Sequence, residues 1–171
     1  MAISGNLVTC YSLRYTLIIY RLYQTISPTL KSDPEKVMSV DEIPTPIGQL
    51  ALQIIAMPAD ANANGDIFGG WLVSKMDLAG CVTANRLARG RVVTVAIDSM
   101  IFLSPVSVGA IISCYTKVIN IGRSSMRIQV EVWSSEPDEI EKQKVTEGLF
   151  TFVAIDKNRR TRPVPQSVPQ A

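Results

Sequence analysis

One stretch limits the possible folds of this chain more than any other. Residues 68–88 read as a single helix, in which Gly70, Val73, Asp77, Cys81, Ala84 and Ala88 recur at spacings of three and four. Leu72, Met76, Ala79 and Leu87 form a bulkier stripe beside them. At 1.5 Å per residue such a helix is about 30 Å long, enough to cross a small domain. Gly90 stands just past its end, and Arg86 and Arg89 occupy its last turn, as a helix C-terminus prefers. The first stripe is mostly small, so a strand or a second subunit can approach it closely. Asp77 lies on that tight face. A carboxylate buried among apolar residues is costly unless it is paired or used.

Nearly everything after the helix reads as strand. Residues 91–102, 110–121, 125–134 and 145–155 are rich in Val, Ile, Thr and aromatics, and Ser104-Pro105, Gly122-Arg123 and the charged stretch 136–144 separate them. Runs of that length extend about 36 Å, long enough to curl around a helix. The alternation Arg127-Ile128-Gln129-Val130-Glu131-Val132 leaves one face of its strand wet. A further strand over residues 49–57 precedes the helix, and residues 59–65 carry turn chemistry. The fold class is therefore α+β: a long central helix wrapped by an antiparallel β-sheet, with no repeat and no second domain. The basic, proline-rich chain from Lys157 onward reads as loose.

Residue usage narrows the chemistry. The 171 residues include no histidine, so proton transfer near neutral pH falls to another group. Three scattered cysteines, Cys10, Cys81 and Cys114, suggest neither a disulfide framework nor a zinc site and fit a reducing cytoplasm. A net charge of +2 is too small for general nucleic-acid binding. Residues 7–23 are apolar but broken by Arg14 and Arg21, and they are short for a membrane span. Residues 1–40 read as an extension outside the fold with a linker-like segment at 27–34, and Met38 is a candidate start. Residues 41–165 form the domain, and 166–171 a flexible tail.

Several motifs, in order, carry a resemblance. Met57-Pro58-Ala59-Asp60, Asn62-Ala63-Asn64-Gly65-Asp66-Ile67-Phe68-Gly69-Gly70-Trp71, Ser74-Lys75-Met76-Asp77, Gly90-Arg91-Val92-Val93-Thr94-Val95, Phe102-Leu103-Ser104-Pro105-Val106, Gly122-Arg123-Ser124-Ser125 and Phe150-Thr151-Phe152-Val153-Ala154 resemble hotdog-fold acyl-CoA thioesterases, closest to the bacterial YciA type. The similarity runs over roughly residues 47–165. It implies a helix wrapped by an antiparallel sheet, active sites shared between two subunits of a dimer, and hexamers built as trimers of dimers. It also implies that Asp77 is the catalytic acid. Phe68 stands where many hotdog thioesterases have histidine, so that position carries no proton here. Ala110 stands where the family often has an acidic residue after Pro-Val-x-Val-Gly, a turn position without chemical consequence.

The expected chemistry is hydrolysis of acyl-CoA to a free acid and coenzyme A, without metal or cofactor. Free amides at Gly69 and Gly70 suit the oxyanion, since glycine allows close approach and a helix start is positive. Asp77 activates water or attacks the thioester. Asp66 orients water or substrate across the subunit seam, or serves as turn and helix cap; Asn64 fits the turn better than the site. Arg123, Ser124 and Ser125 are candidates for the coenzyme phosphates, with Arg91 and Lys117 as helpers. Trp71, Phe68 and Met76 border the acyl chain or are ordinary core, and Trp133 packs. A hydratase would want a histidine. A non-catalytic acyl-CoA sensor needs neither Asp77 nor Gly-Gly.

Overall fold

The computed structural model describes residues 44–137 and 141–165. All of them but Pro44 and Thr45 belong to a compact unit that begins at Pro46. The readings of residues 1–40, of Met38 as a start and of 166–171 as a tail lie outside the described residues, as does part of the 136–144 loop.

Among the described residues the unit has five strands and one long helix: β1 (Gln49–Ile55), α1 (Gly69–Ala88), β2 (Val92–Phe102), β3 (Ile111–Ile121), β4 (Ser125–Ser135) and β5 (Gln143–Ala154). All neighbouring strands run antiparallel, in the spatial order β1-β3-β4-β5-β2, so β1 and β2 are the edges. The element boundaries fall within two residues of those read from the sequence. That agreement has a simple cause: the segments end at glycines, prolines and charged turns that admit no continuation.

The helix lies on one face of the sheet, and strand alternation supplies the core beneath it. Ile112 and Cys114 of β3, Met126, Ile128, Val130 and Val132 of β4, and Phe150, Phe152 and Ala154 of β5 are fully buried there. Against them sit Leu72, Met76, Ala79, Gly80, Ala84 and Ala88. Closest approach comes at Gly80, where a Cβ would stand 2.8 Å from the Phe152 ring and 3.5 Å from Val130. The buried face is thus the stripe of Leu72, Met76 and Ala79. Of the small-residue row, Ala84 and Ala88 join that face, Val73, Asp77 and Cys81 are half covered and Gly70 is exposed, so the row leaves the sheet toward the helix start.

The opposite face of the sheet is wetter but holds a buried polar network. Glu131 of β4 is 1% exposed. Its carboxylate accepts hydrogen bonds from Lys144 (2.8 Å), the Trp133 indole (3.1 Å) and the Ile47 amide (3.1 Å), and Lys144 also donates to Glu147 (2.7 Å). Trp133 is therefore packing with a polar handle, as such a strand residue requires when buried.

The chain after β5 departs from the sequence reading. Residues 156–165 are not loose. Asp156 accepts the amides of Asn158 and Arg160, Ile155 pairs with Thr161, and Val164 is 2% exposed with its amide on the Arg123 carbonyl (2.8 Å). A composition rich in Arg and Pro hid an arginine, Arg162, that works inside the fold. Its guanidinium donates to the carbonyls of Ala88 (2.7 Å) and Ile155 (3.1 Å). The helix C-terminus also differs in detail: the left-handed residue is Arg89 (φ 49°), with Gly90 following it.

Candidate active site

The helix start is built by the loop before it. Met57-Pro58-Ala59-Asp60 closes a single turn in which the Asp60 carboxylate accepts the Met57 amide (3.2 Å), and the Asp60 carbonyl accepts the Phe68 amide (3.1 Å). Asn62 organises the next turn. Its side-chain oxygen accepts the amides of Asn64 (2.8 Å) and Asp66 (3.2 Å), while Gly65 supplies the positive φ of 87°. Asn64 thus lies in the turn, but the side chain that shapes it belongs to Asn62.

Phe68 is the residue that caps α1, in extended backbone geometry and with no side-chain cap. Asp66, exposed two residues earlier, is not the helix cap; its backbone is used in bridging to Ser107. Helix geometry leaves the first amides without intrahelical acceptors, and those of Gly69 and Gly70 have none among the described residues. A Cβ on Gly69 would press on the Phe102 ring at 3.3 Å, whereas Gly70 faces open space. An uncapped, positively polarised helix start with room in front of it can receive an oxyanion.

Asp77 lies two turns further along the same helix face. It is half-buried rather than buried, and it makes no ion pair among the described residues. Its one hydrogen-bond partner among the described residues is Thr94 of β2, whose hydroxyl donates to Oδ1 at 2.6 Å. Sequence reading missed Thr94. Its signal was faint: a lone Thr inside a Val-rich strand, placed on the helix side only by the strand register that pairs it with Phe152.

Neither described cysteine competes as a nucleophile. Burial pushes the Cys114 thiol up to about 12. Burial and then the Asp77 charge raise that of Cys81. Among the described residues no trio of His, Cys, Asp or Glu is placed to hold a metal ion.

The candidate phosphate residues divide. Arg91 and Arg123 come to one end of the fold beside the helix C-terminus: the Arg91 carbonyl accepts the Ile155 amide (3.0 Å), and the segment at Arg123 accepts from Val164. Ser124 joins them by accepting the Ala154 amide (2.8 Å), and the Ser125 carbonyl closes the turn onto Gly122 (2.8 Å). Lys117 does not join them. It is paired with Gln129 in the middle of β3–β4. Phe68 is exposed, Trp71 half-buried beneath the Lys75 ammonium, and Met76 core.

Residues 64–141 match the Thioesterase superfamily. The acyl-CoA thioester hydrolase YciA of Salmonella typhimurium is 50% identical over 125 residues, covering 71% of this chain and 93% of the relative. The chain belongs to the hotdog thioesterase superfamily. Among solved structures, the hexameric thioesterase y2039 from Yersinia pestis shares 48% identity with a TM-score of 0.70, covering 72% of this chain and all of that one. HI0827, a hexameric broad-specificity acyl-coenzyme A thioesterase crystallised as an aspartate-to-alanine mutant, shares 48% identity with a TM-score of 0.69, covering 72% and 91%. Within this superfamily the chain's helix and sheet are the hotdog's filling and wrapping. No described helix is long and apolar enough to cross a membrane.

Proposed function

We propose that this hotdog protein hydrolyses acyl-CoA to a carboxylic acid and free coenzyme A, with Asp77 as the proton-transfer group and the Gly69 and Gly70 amides of a facing subunit as oxyanion donors. The observation that carries the reading is a distance. Asp77 and Gly70 are seven residues apart on one helix face, hence about 10 Å along the axis. Reacting atoms must come within about 3–3.5 Å of each other, and a facing copy, by presenting its own helix start to this Asp77, shortens that reach.

Exposed apolar residues support that pairing. Leu78 and Val82 on α1, Val93, Val95 and Ile97 on the edge strand β2, and Phe68 at the helix start are all at least 37% exposed. They lie on or next to α1, which holds Asp77, and on β2, which holds its partner Thr94. An apolar surface of this kind beside an unpaired strand edge marks an interface. The hexameric relatives favour three such dimers per assembly, and the free thiols fit the cytoplasm.

In the reaction, Asp77 takes a proton from water as the water oxygen bonds to the thioester carbon. The carbonyl electrons move to oxygen and are held by the helix-start amides. The C–S bond then breaks, and the thiolate leaves with the proton that Asp77 returns. Thr94 fixes one carboxylate oxygen and leaves the other to exchange the proton. A panel of acyl-CoAs assayed for thiol release tests this. Tight binding without release of coenzyme A would instead identify a sensor.

Two neighbours of the chemistry have measurable roles. Thr94→Val should lower kcat about ten- to a hundredfold, the worth of one hydrogen bond to a charged group, without changing the melting temperature of an exposed strand position. An unchanged kcat would remove Thr94 from the site. Asp66→Ala should lower turnover about 10²-fold through lost orientation of water or substrate. A fall in melting temperature with intact turnover would return Asp66 to a purely structural role.

A further inference from the structure

A helix C-terminus is a poor place for phosphates. Its unpaired carbonyls amount to about half a negative charge, which repels an anion. Yet the candidate coenzyme ligands Arg91, Arg123, Ser124 and Ser125 gather at that end of α1. Arg162 resolves the conflict. Its Nη2 covers the Ala88 carbonyl at 2.7 Å, and its Nε holds the Ile155 carbonyl at 3.1 Å. A Cβ at Gly90 would fall 2.8 Å from the same guanidinium, so the chain passes directly over it on the way to Arg91.

Arg162 also sits at a junction of backbone bonds. Its own amide donates to Ala154 (2.9 Å), the Ala154 amide to Ser124 (2.8 Å), the Ile155 amide to Arg91 (3.0 Å), and the Val164 amide to Arg123 (2.8 Å). One segment therefore ties together the helix end, the start of β2 and the β3–β4 turn. We propose that Arg162 is a positioning residue that turns the helix C-terminus from an anion-repelling into an anion-accepting end, and so sets the grip of Arg91 and Arg123 on the phosphates of the coenzyme. The inference rests on the thioesterase reading and on phosphates binding at this end. Arg162 need not touch substrate. It removes the opposing field and fixes the two arginine backbones.

The test compares an acyl-CoA with the matching acyl-pantetheine thioester, which has the same reacting bond and no phosphates. For Arg162→Gln in the full chain, the preference for acyl-CoA in kcat/KM should fall about tenfold, mostly through KM. That is what one charge near a partly buried helix end is worth at 1.4 kcal/mol per decade. Arg162→Lys, which keeps the charge, should recover part of it. A purely structural arginine would lower activity on both substrates in proportion and leave their ratio intact, and that result in both variants would overturn the proposal. Arg123→Ala separates the layers. If it lowers the ratio and Arg162→Gln does not, only the role of Arg162 fails. If neither changes it, phosphates do not bind at this end and the underlying reading fails with it.

Discussion

Replacing Asp77 by Asn should reduce kcat by about 10³–10⁴ while leaving the assembly folded. The amide keeps the shape of the carboxylate and still accepts the Thr94 hydroxyl bond seen at 2.6 Å. It cannot take a proton from water at neutral pH, and it is too weak a nucleophile to attack the thioester. KM should change little, because the side chain is placed to act on the reacting carbon rather than on the coenzyme. Asp77 has no ion pair among the described residues, so its loss leaves no stranded partner charge. The rate loss and the melting curve should therefore separate cleanly. Turnover near the wild-type value would reject Asp77 as the proton-transfer group.

The largest stability effect should come from the far side of the sheet. Glu131→Ala removes the acceptor of three donors at once: Lys144, the Trp133 indole and the Ile47 amide. Breaking a buried pair by deleting one partner typically costs about 3–5 kcal/mol, because the remaining charge stays desolvated. Lys144 retains Glu147 at 2.7 Å and partial exposure, which points to the lower end, about 3 kcal/mol.

The network also sets a pH dependence. Burial alone would raise the Glu131 carboxyl, but the bonds from Lys144, Ile47 and Trp133 outweigh it and hold it below 4.5. A lowered carboxyl contributes fully above its unfolded value, and that contribution is lost as pH falls through the lower folded one. Lys144 works in reverse. Burial lowers it, its bonds to Glu131 and Glu147 raise it above 10.5 overall, and its contribution is lost only as pH rises past that point. Denaturant melts should thus show wild-type stability declining on the acid side, and Glu131→Gln flattening that decline. An unaltered acid limb in the variant would exclude Glu131 as its source.

Much of this architecture was open to reading because the chain is locally consistent. Strand alternation, a helix period and the turn residues between segments agree to within two residues, so β2 through β5 and α1 fall close to where periodicity puts them. Periodicity does not fix how a helix rotates on its sheet. The small-residue row looked like the packed face, yet Gly80, outside both stripes, makes the closest contact, and Asp77 turns to the rim. The C-terminal strap was hidden for a different reason. Arginine and proline usually signal solvated chain, and only the distant Ala88 carbonyl reveals what Arg162 does. Thr94 was likewise invisible until strand register placed it beside Asp77. Chemistry carried by one side chain could be named from the sequence, whereas chemistry completed by a non-local partner could not.

Whether two subunits share each site can be measured with hybrid dimers. Asp77→Asn lacks the proton-transfer group, and Gly70→Val fills the open space before the helix-start amides; each alone should be nearly inactive. Co-expressed with separate affinity tags and purified on both, they give assemblies in which each mixed dimer holds one doubly defective site and one intact site, and rates are compared per mixed dimer. Thiol release from acyl-CoA should return to roughly half the wild-type rate, as two-fold pairing requires. A mixed dimer as inactive as either parent would show that Asp77 and the glycine amides serve within one chain, contradicting the shared site.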